Sequence, residues 1–178
     1  MKKLSVIALV LALLMCLSAF SACGKDDDKA PKGMVLASSE HVDYRMYVPE
    51  NWKVDKSDLY TSAYFTTGAD ATSISVTAYG VSGNEAKVDD WWKGFEEEIK
   101  AVYADMSKVK KSDAVLGGVE GKEYSFSAKL ADQEYNFIIT AVVRNYYVYY
   151  ITYTSTPEYY EKHLEERTQV IEAFEFDK

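Results

Sequence analysis

The run from Phe137 to Tyr153, FIITAVVRNYYVYYITY, restricts the fold more than any other part of the chain. Its β-branched and aromatic residues favour extended backbone. Arg144-Asn145 interrupts them and predicts a tight turn, because Asn tolerates the positive φ that a hairpin needs. In the first arm Phe137, Ile139, Ala141 and Val143 share one face, and Ile138 and Val142 share the other. A strand covered on one side alternates apolar with polar, whereas a strand apolar on both sides is covered on both. The hairpin is therefore expected at the centre of an antiparallel sheet with a layer packed on each face. Two other runs do alternate. Ile74, Val76 and Ala78 oppose Ser73, Ser75 and Thr77, and Tyr124, Phe126, Ala128 and Leu130 oppose Glu123, Ser125, Ser127 and Lys129. Those strands belong in more exposed places.

The period changes in two segments. Val88, Trp91, Trp92, Phe95, Ile99, Val102 and Met106 recur at three and four, which predicts an amphipathic helix with Asp89 or Asp90 at its positive end. A closing helix is expected from Thr156-Pro157, or from a capping box of Ser155 and Glu158. Tyr160, Leu164, Ile171 and Phe174 form its buried stripe, and Arg167 crosses the stripe by its aliphatic stem. Shorter strands are expected over Met34–Ser38, Tyr44–Val48 and Leu59–Thr66, with Glu175-Phe176 as a last edge. Turns fall at Thr67-Gly68-Ala69-Asp70, Gly80–Gly83 and Ala131-Asp132. Leu116–Gly121 reads as a turn too, since it lacks the phosphate-loop lysine and precedes a strand. The class is α+β, in one domain spanning 34–178.

The chain offers little catalytic chemistry to sequence reading. His41 lies near a turn, and His163 lies among Glu161, Glu165 and Glu166, where a solvated, charge-paired imidazole is expected rather than a metal ligand. G-x-S-x-G, HExxH and Cys/His clusters are all missing from the sequence. A spatial pair of carboxylates leaves no trace in a sequence. No catalytic, cofactor or metal residue is assigned. Fifteen tyrosines remain, read mainly as strand packing with Tyr147, Tyr149 or Tyr153 in the core. Trp52, delivered by the turn Pro49-Glu50-Asn51, and the Trp91-Trp92 pair are the candidate ligand-surface aromatics, with at least one of that pair expected in the core.

The first 22 residues, MKKLSVIALVLALLMCLSAFSA, combine a basic start, an apolar run too short for a comfortable span, and small residues at the end. They read as a secretory signal. Phe20-Ser21-Ala22-Cys23 resembles the lipobox of bacterial lipoproteins, with Phe20 where leucine is usual. The resemblance implies a diacylglycerol on Cys23 and cleavage before it. Cys16 lies inside the apolar run and is the poorer site. On this reading the mature domain has no thiol for a disulfide or a metal, and its membrane contact is the lipid. Gly24–Gly33, GKDDDKAPKG, reads as a charged tether reaching about 30–35 Å when extended. Its three aspartates lack the alternation of a calcium loop. Loss of Lys2 and Lys3 takes the net charge from −8 to −10. That balance disfavours nucleic acid as a partner.

One further resemblance spans nearly all of Met34–Lys178. Tyr44–Val48 is followed by Pro49 and Trp52, a turn at Gly118 opens a long hairpin, and Tyr147–Thr154 precedes a helix that begins near Pro157 and ends at Phe174. This order is similar to PsbP-like domains, the fold of a photosystem II extrinsic subunit and of Ran-binding nuclear import factors, which bacterial lipoproteins also carry. It implies an antiparallel sheet flanked by helices on both faces, an α/β/α sandwich, and non-catalytic docking on an assembly or a ligand. The expected role is a lipid-anchored extracytoplasmic binding or assembly domain with a protein partner in the cell envelope. Capture of sugar or peptide through exposed Tyr and Trp is the second expectation, and a hydrolase with a spatially assembled site the third.

Overall fold

The computed structural model describes residues 30–56, 61–65, 69–81 and 87–177. The signal segment, Cys23 and most of the tether lie outside the described residues. So do 57–60 and 66–68, in the expected strand and turn there, and 82–86 after the sixth strand.

The elements run β1 (Met34–Leu36), β2 (Tyr44–Arg45), β3 (Tyr47–Pro49), β4 (Lys53–Lys56), β5 (Thr61–Tyr64), β6 (Ser73–Gly80) and helix α1 (Val88–Val102). There follow β7 (Lys110–Leu116), β8 (Val119–Leu130), β9 (Gln133–Arg144), β10 (Tyr147–Ser155), a 3-10 turn at Glu161–His163, helix α2 (Leu164–Ala173) and β11 (Glu175–Phe176). Seven strands form one antiparallel sheet in the order β4-β5-β6-β10-β9-β8-β7. The β9–β10 hairpin is central, as its two-sided apolar pattern requires. Two small sheets, β1–β3 and β2–β11, lie outside it.

Strand parity divides the core in two. Phe137, Ile139, Ala141, Val148 and Tyr150 join Val88, Trp92 and Ile99 of α1. Ile138, Val142, Tyr149, Ile151 and Tyr153 join Val170 of α2. The N-terminal segment adds Met34, Tyr44, Met46, Tyr47, Val48 and Trp52 to this second cluster. Helix α2 packs against β3 more than on the large sheet. Cover by a helical layer on each face is thus only partly realised, because the short N-terminal strands fill much of the space assigned to helix.

Other departures have local causes. The central turn is Asn145-Tyr146, one residue later than expected, with φ of 49° and 68°. Arg144 pairs with Tyr147 as the last rung. Helix α1 stops at Val102 rather than Met106, because Ala104 exchanges both backbone bonds with Lys129 at 2.9 and 2.8 Å. The segment after Pro157 winds more tightly than an α-helix, with Tyr159 N–H donating to Thr156 and Lys162 N–H to Tyr159, so α2 begins only at Leu164. Both β4 and β7 escape the sequence pattern. Glu175-Phe176 does form a strand, but it pairs with β2 instead of the large sheet. Among the described residues no helix is long and apolar enough to cross a membrane.

Candidate functional site

The most chemically loaded cluster gathers around His163, which is 2% exposed. This corrects its reading as a solvated surface group. The 3-10 turn swings the ring inward, beneath Trp52 and Phe65, whose ring centroids lie 5.6 and 4.6 Å away. Nε2 meets Asp70 Oδ2 at 2.8 Å. Nδ1 meets Glu166 Oε2 at one helical turn's spacing. Trp52 Nε1 donates to the same carboxylate oxygen at 3.2 Å. Asp70 Oδ1 accepts the Thr72 backbone N–H at 3.1 Å, and Lys162 Nζ stands 3.6 Å from Oδ2. Burial raises the Asp70 pKa, but the bonds from His163 and Thr72 outweigh it and hold the carboxyl below its ordinary value.

This geometry holds elements together. A histidine acting as general base must present one nitrogen to the group it deprotonates. Both nitrogens of His163 face carboxylates instead, on opposite edges of the ring. The two acids cannot converge on one ion, and among the described residues no group of three His, Cys, Asp or Glu side chains could hold a metal. The nearby Thr72 and Ser155 hydroxyls bond each other at 2.7 Å. His163 therefore clamps three segments: the turn before β6, the turn carrying Trp52, and the start of α2. Sequence reasoning missed Asp70 because a turn aspartate is ordinarily solvated, and nothing local marks this one for burial.

A second polar cluster lies on the same face. Arg167 Nη2 donates to Glu123 and to Thr140, and Thr140 Oγ1 donates to Glu123 at 3.2 Å. Thr140 is completely buried, and Arg167 Nε is buried with no partner among the described residues. The expected passage of Arg167 over apolar surface ends in this ion pair.

The tryptophans separate. Trp52 is 4% and Trp92 6% exposed. Trp92 lies flat on Tyr124, with centroids 3.8 Å apart and planes 3° from parallel, and its Nε1 donates to Glu96 at 3.0 Å. Trp91 is only partly buried and stacks on Phe95 at 4.7 Å. Of the three, Trp91 alone keeps appreciable contact with solvent. Tyr149 and Tyr153 are core residues, but Tyr147 is 46% exposed, because it stands where the hairpin leaves the covered part of the sheet. His41 is exposed near Glu40.

No protein-family model matches the chain, and no curated protein matches its sequence. Its structure is similar to solved ones. Cyanobacterial PsbP (CyanoP) from Synechocystis sp. PCC 6803 superposes with a TM-score of 0.61 at 9% identity, covering 88% of this chain and 98% of that one. The Ran-binding protein Mog1p from Saccharomyces cerevisiae gives 0.55 at 6% identity, over 80% and 95%. LpqN, involved in cell envelope biogenesis of Mycobacterium tuberculosis, gives 0.54 at 12% identity, over 82% and 91%. The superposed regions span nearly all of each partner, and the described residues have the PsbP-like fold shared by these three proteins.

Proposed function

We propose that the protein is a lipid-anchored, extracytoplasmic, non-catalytic domain that docks on a protein partner of the cell envelope. In this reading residues 1–22 are the secretory signal, 23–33 the lipidated Cys23 and its tether, and 34–178 one binding domain. The observation that carries it is the use made of His163. The most reactive cluster in the described residues is spent on joining elements, with neither ring nitrogen open to a substrate. The fold is compatible with docking: one structural neighbour is a Ran-binding protein and another is involved in cell envelope biogenesis. The architecture reads as an α/β/α sandwich of unequal cover, which leaves sheet surface open to a ligand. That open surface favours a second reading, ligand capture through exposed tyrosines.

The anchor has a direct test. In the native host, Cys23→Ser moves the protein from the membrane pellet to the soluble extracytoplasmic fraction, and the wild-type mass includes a diacylglycerol. A variant that stays in the pellet removes the anchor from the proposal.

A further inference from the structure

Helix α1 packs over β8 and β9. Its aromatic edge reaches β10, where Trp91 and Phe95 lie 5.0 and 5.1 Å from Tyr150. The same face of the sheet continues beyond, across β6, β5 and β4. Antiparallel register lines up Thr152, Ser75, Ser62 and Asp55 in one rung, and Ser73, Tyr64 and Lys53 in the next. Their sequence neighbours Ile74, Val76 and Ala63 point through to the opposite face and are completely buried. The serines and Thr152 are only half-buried, and their hydroxyls bond no other described residue. A ring stands at each end of this floor. Tyr64 has Lys53 Nζ 5.5 Å over its centroid, and Tyr79 is 55% exposed. From Ser73 to Tyr79 along β6 is about 20 Å.

We propose that this face binds a neutral oligosaccharide. Each hydroxyl both donates and accepts, and so matches a sugar hydroxyl in either sense. The tyrosine rings offer flat apolar surface to the C–H face of a pyranose. Charge points the same way. The chain carries a net −8, yet this floor is neutral, with Lys53 and Asp55 of opposite sign at its far edge. A protein partner would want an apolar centre to bury, and the centre here is Ser and Thr. A flat row of hydroxyls between two rings suits an extended chain of sugar units better than a single ring. The inference deepens the ligand-capture reading and is independent of the lipid anchor.

Calorimetric titration of the full-length chain with cellotetraose and with chitotetraose tests it. Saturable binding of at least one is expected. Tyr79→Ala, and Ser75→Ala combined with Thr152→Val, each weaken it about tenfold. Tyr79→Phe keeps the ring and binds within about twofold of wild type, while circular dichroism and urea midpoints of all three stay unchanged. No saturable heat from either sugar, or equal affinity in every variant, overturns the proposal. A concentration-dependent dimer in sedimentation that Tyr79→Ala abolishes also overturns it, by making the face a contact between copies. Cys23→Ser leaves sugar affinity intact, so failure of the anchor and failure of the sugar site are separately visible.

Discussion

The two faces of the central sheet are held by different forces. Against α1 the contacts are aromatic: Trp92 on Tyr124, and Trp91 on Tyr150 with centroids 5.0 Å apart. Against the N-terminal strands and α2 the apolar cluster is crossed by buried Asp70, His163 and Thr140, which are met by the half-buried Glu166, Arg167 and Glu123. Stacked rings gain free energy from buried area, with about 0.5–1.5 kcal/mol more from their geometry, and need no exact partner. Buried polar groups lose hydration and recover it only when every partner is in place. The aromatic face therefore tolerates volume-conserving change, while the polar face is sensitive to the loss of any one member. That sensitivity fits its position, because the His163 clamp joins segments far apart in sequence.

Paired substitutions sharpen this contrast most. His163→Leu is expected to destabilise by about 3–5 kcal/mol, because it leaves the Asp70 carboxylate buried without its main partner. Adding Asp70→Asn recovers part of the loss by removing the charge. Trp92→Ala costs a similar amount, about 3–5 kcal/mol, through the cavity it opens. Adding Tyr124→Ala there only deepens the loss. Urea unfolding of the four variants checks both halves, and rescue on both faces, or on neither, breaks the comparison.

A pH series isolates the polar face. Asp70 has a folded pKa below its unfolded one, so its stabilisation is fully present above the unfolded value and is lost as the pH falls through the folded value. Urea midpoints should therefore drop below about pH 4 more steeply in wild type than in Asp70→Asn. Parallel curves would show that Asp70 is not what the acid side titrates.

The smallest effect belongs to neither face. Tyr146 holds φ at 68° in the central turn, where a side chain costs about 1 kcal/mol. Tyr146→Gly should raise stability by roughly 0.5–1 kcal/mol. The gain should be equal in the His163→Leu and Trp92→Ala backgrounds, since the turn lies at the end of strands common to both cores. Unequal gains, measured by urea midpoints, would mean that the two faces are coupled through the hairpin.

How legible these regions are in the sequence follows from their periodicity. The β9–β10 centre, the alternating β6 and β8, and most of α1 are readable because burial there repeats every two residues, or every three to four. Strands β4 and β7 are not, since KVDK and KKSDAVL sit at the sheet edges, where exposure removes the apolar alternation. Trp52 and Trp92 read as surface candidates because a tryptophan's ring suits either environment. Their burial depends on Glu166 and Tyr124, which come from other segments.

By itself the sequence determined a two-sided central hairpin, an amphipathic α1 and the α+β class. All of these are local patterns, set by side-chain period or by neighbouring residues. Only the tertiary structure decided that Asp70 and His163 meet, 93 positions apart, and that Trp91 of α1 reaches Tyr150 of the central strand. Which buried group finds a partner, and which stretch of sheet stays open, depends on how separately legible elements lie against one another, and no single stretch of chain records that distance.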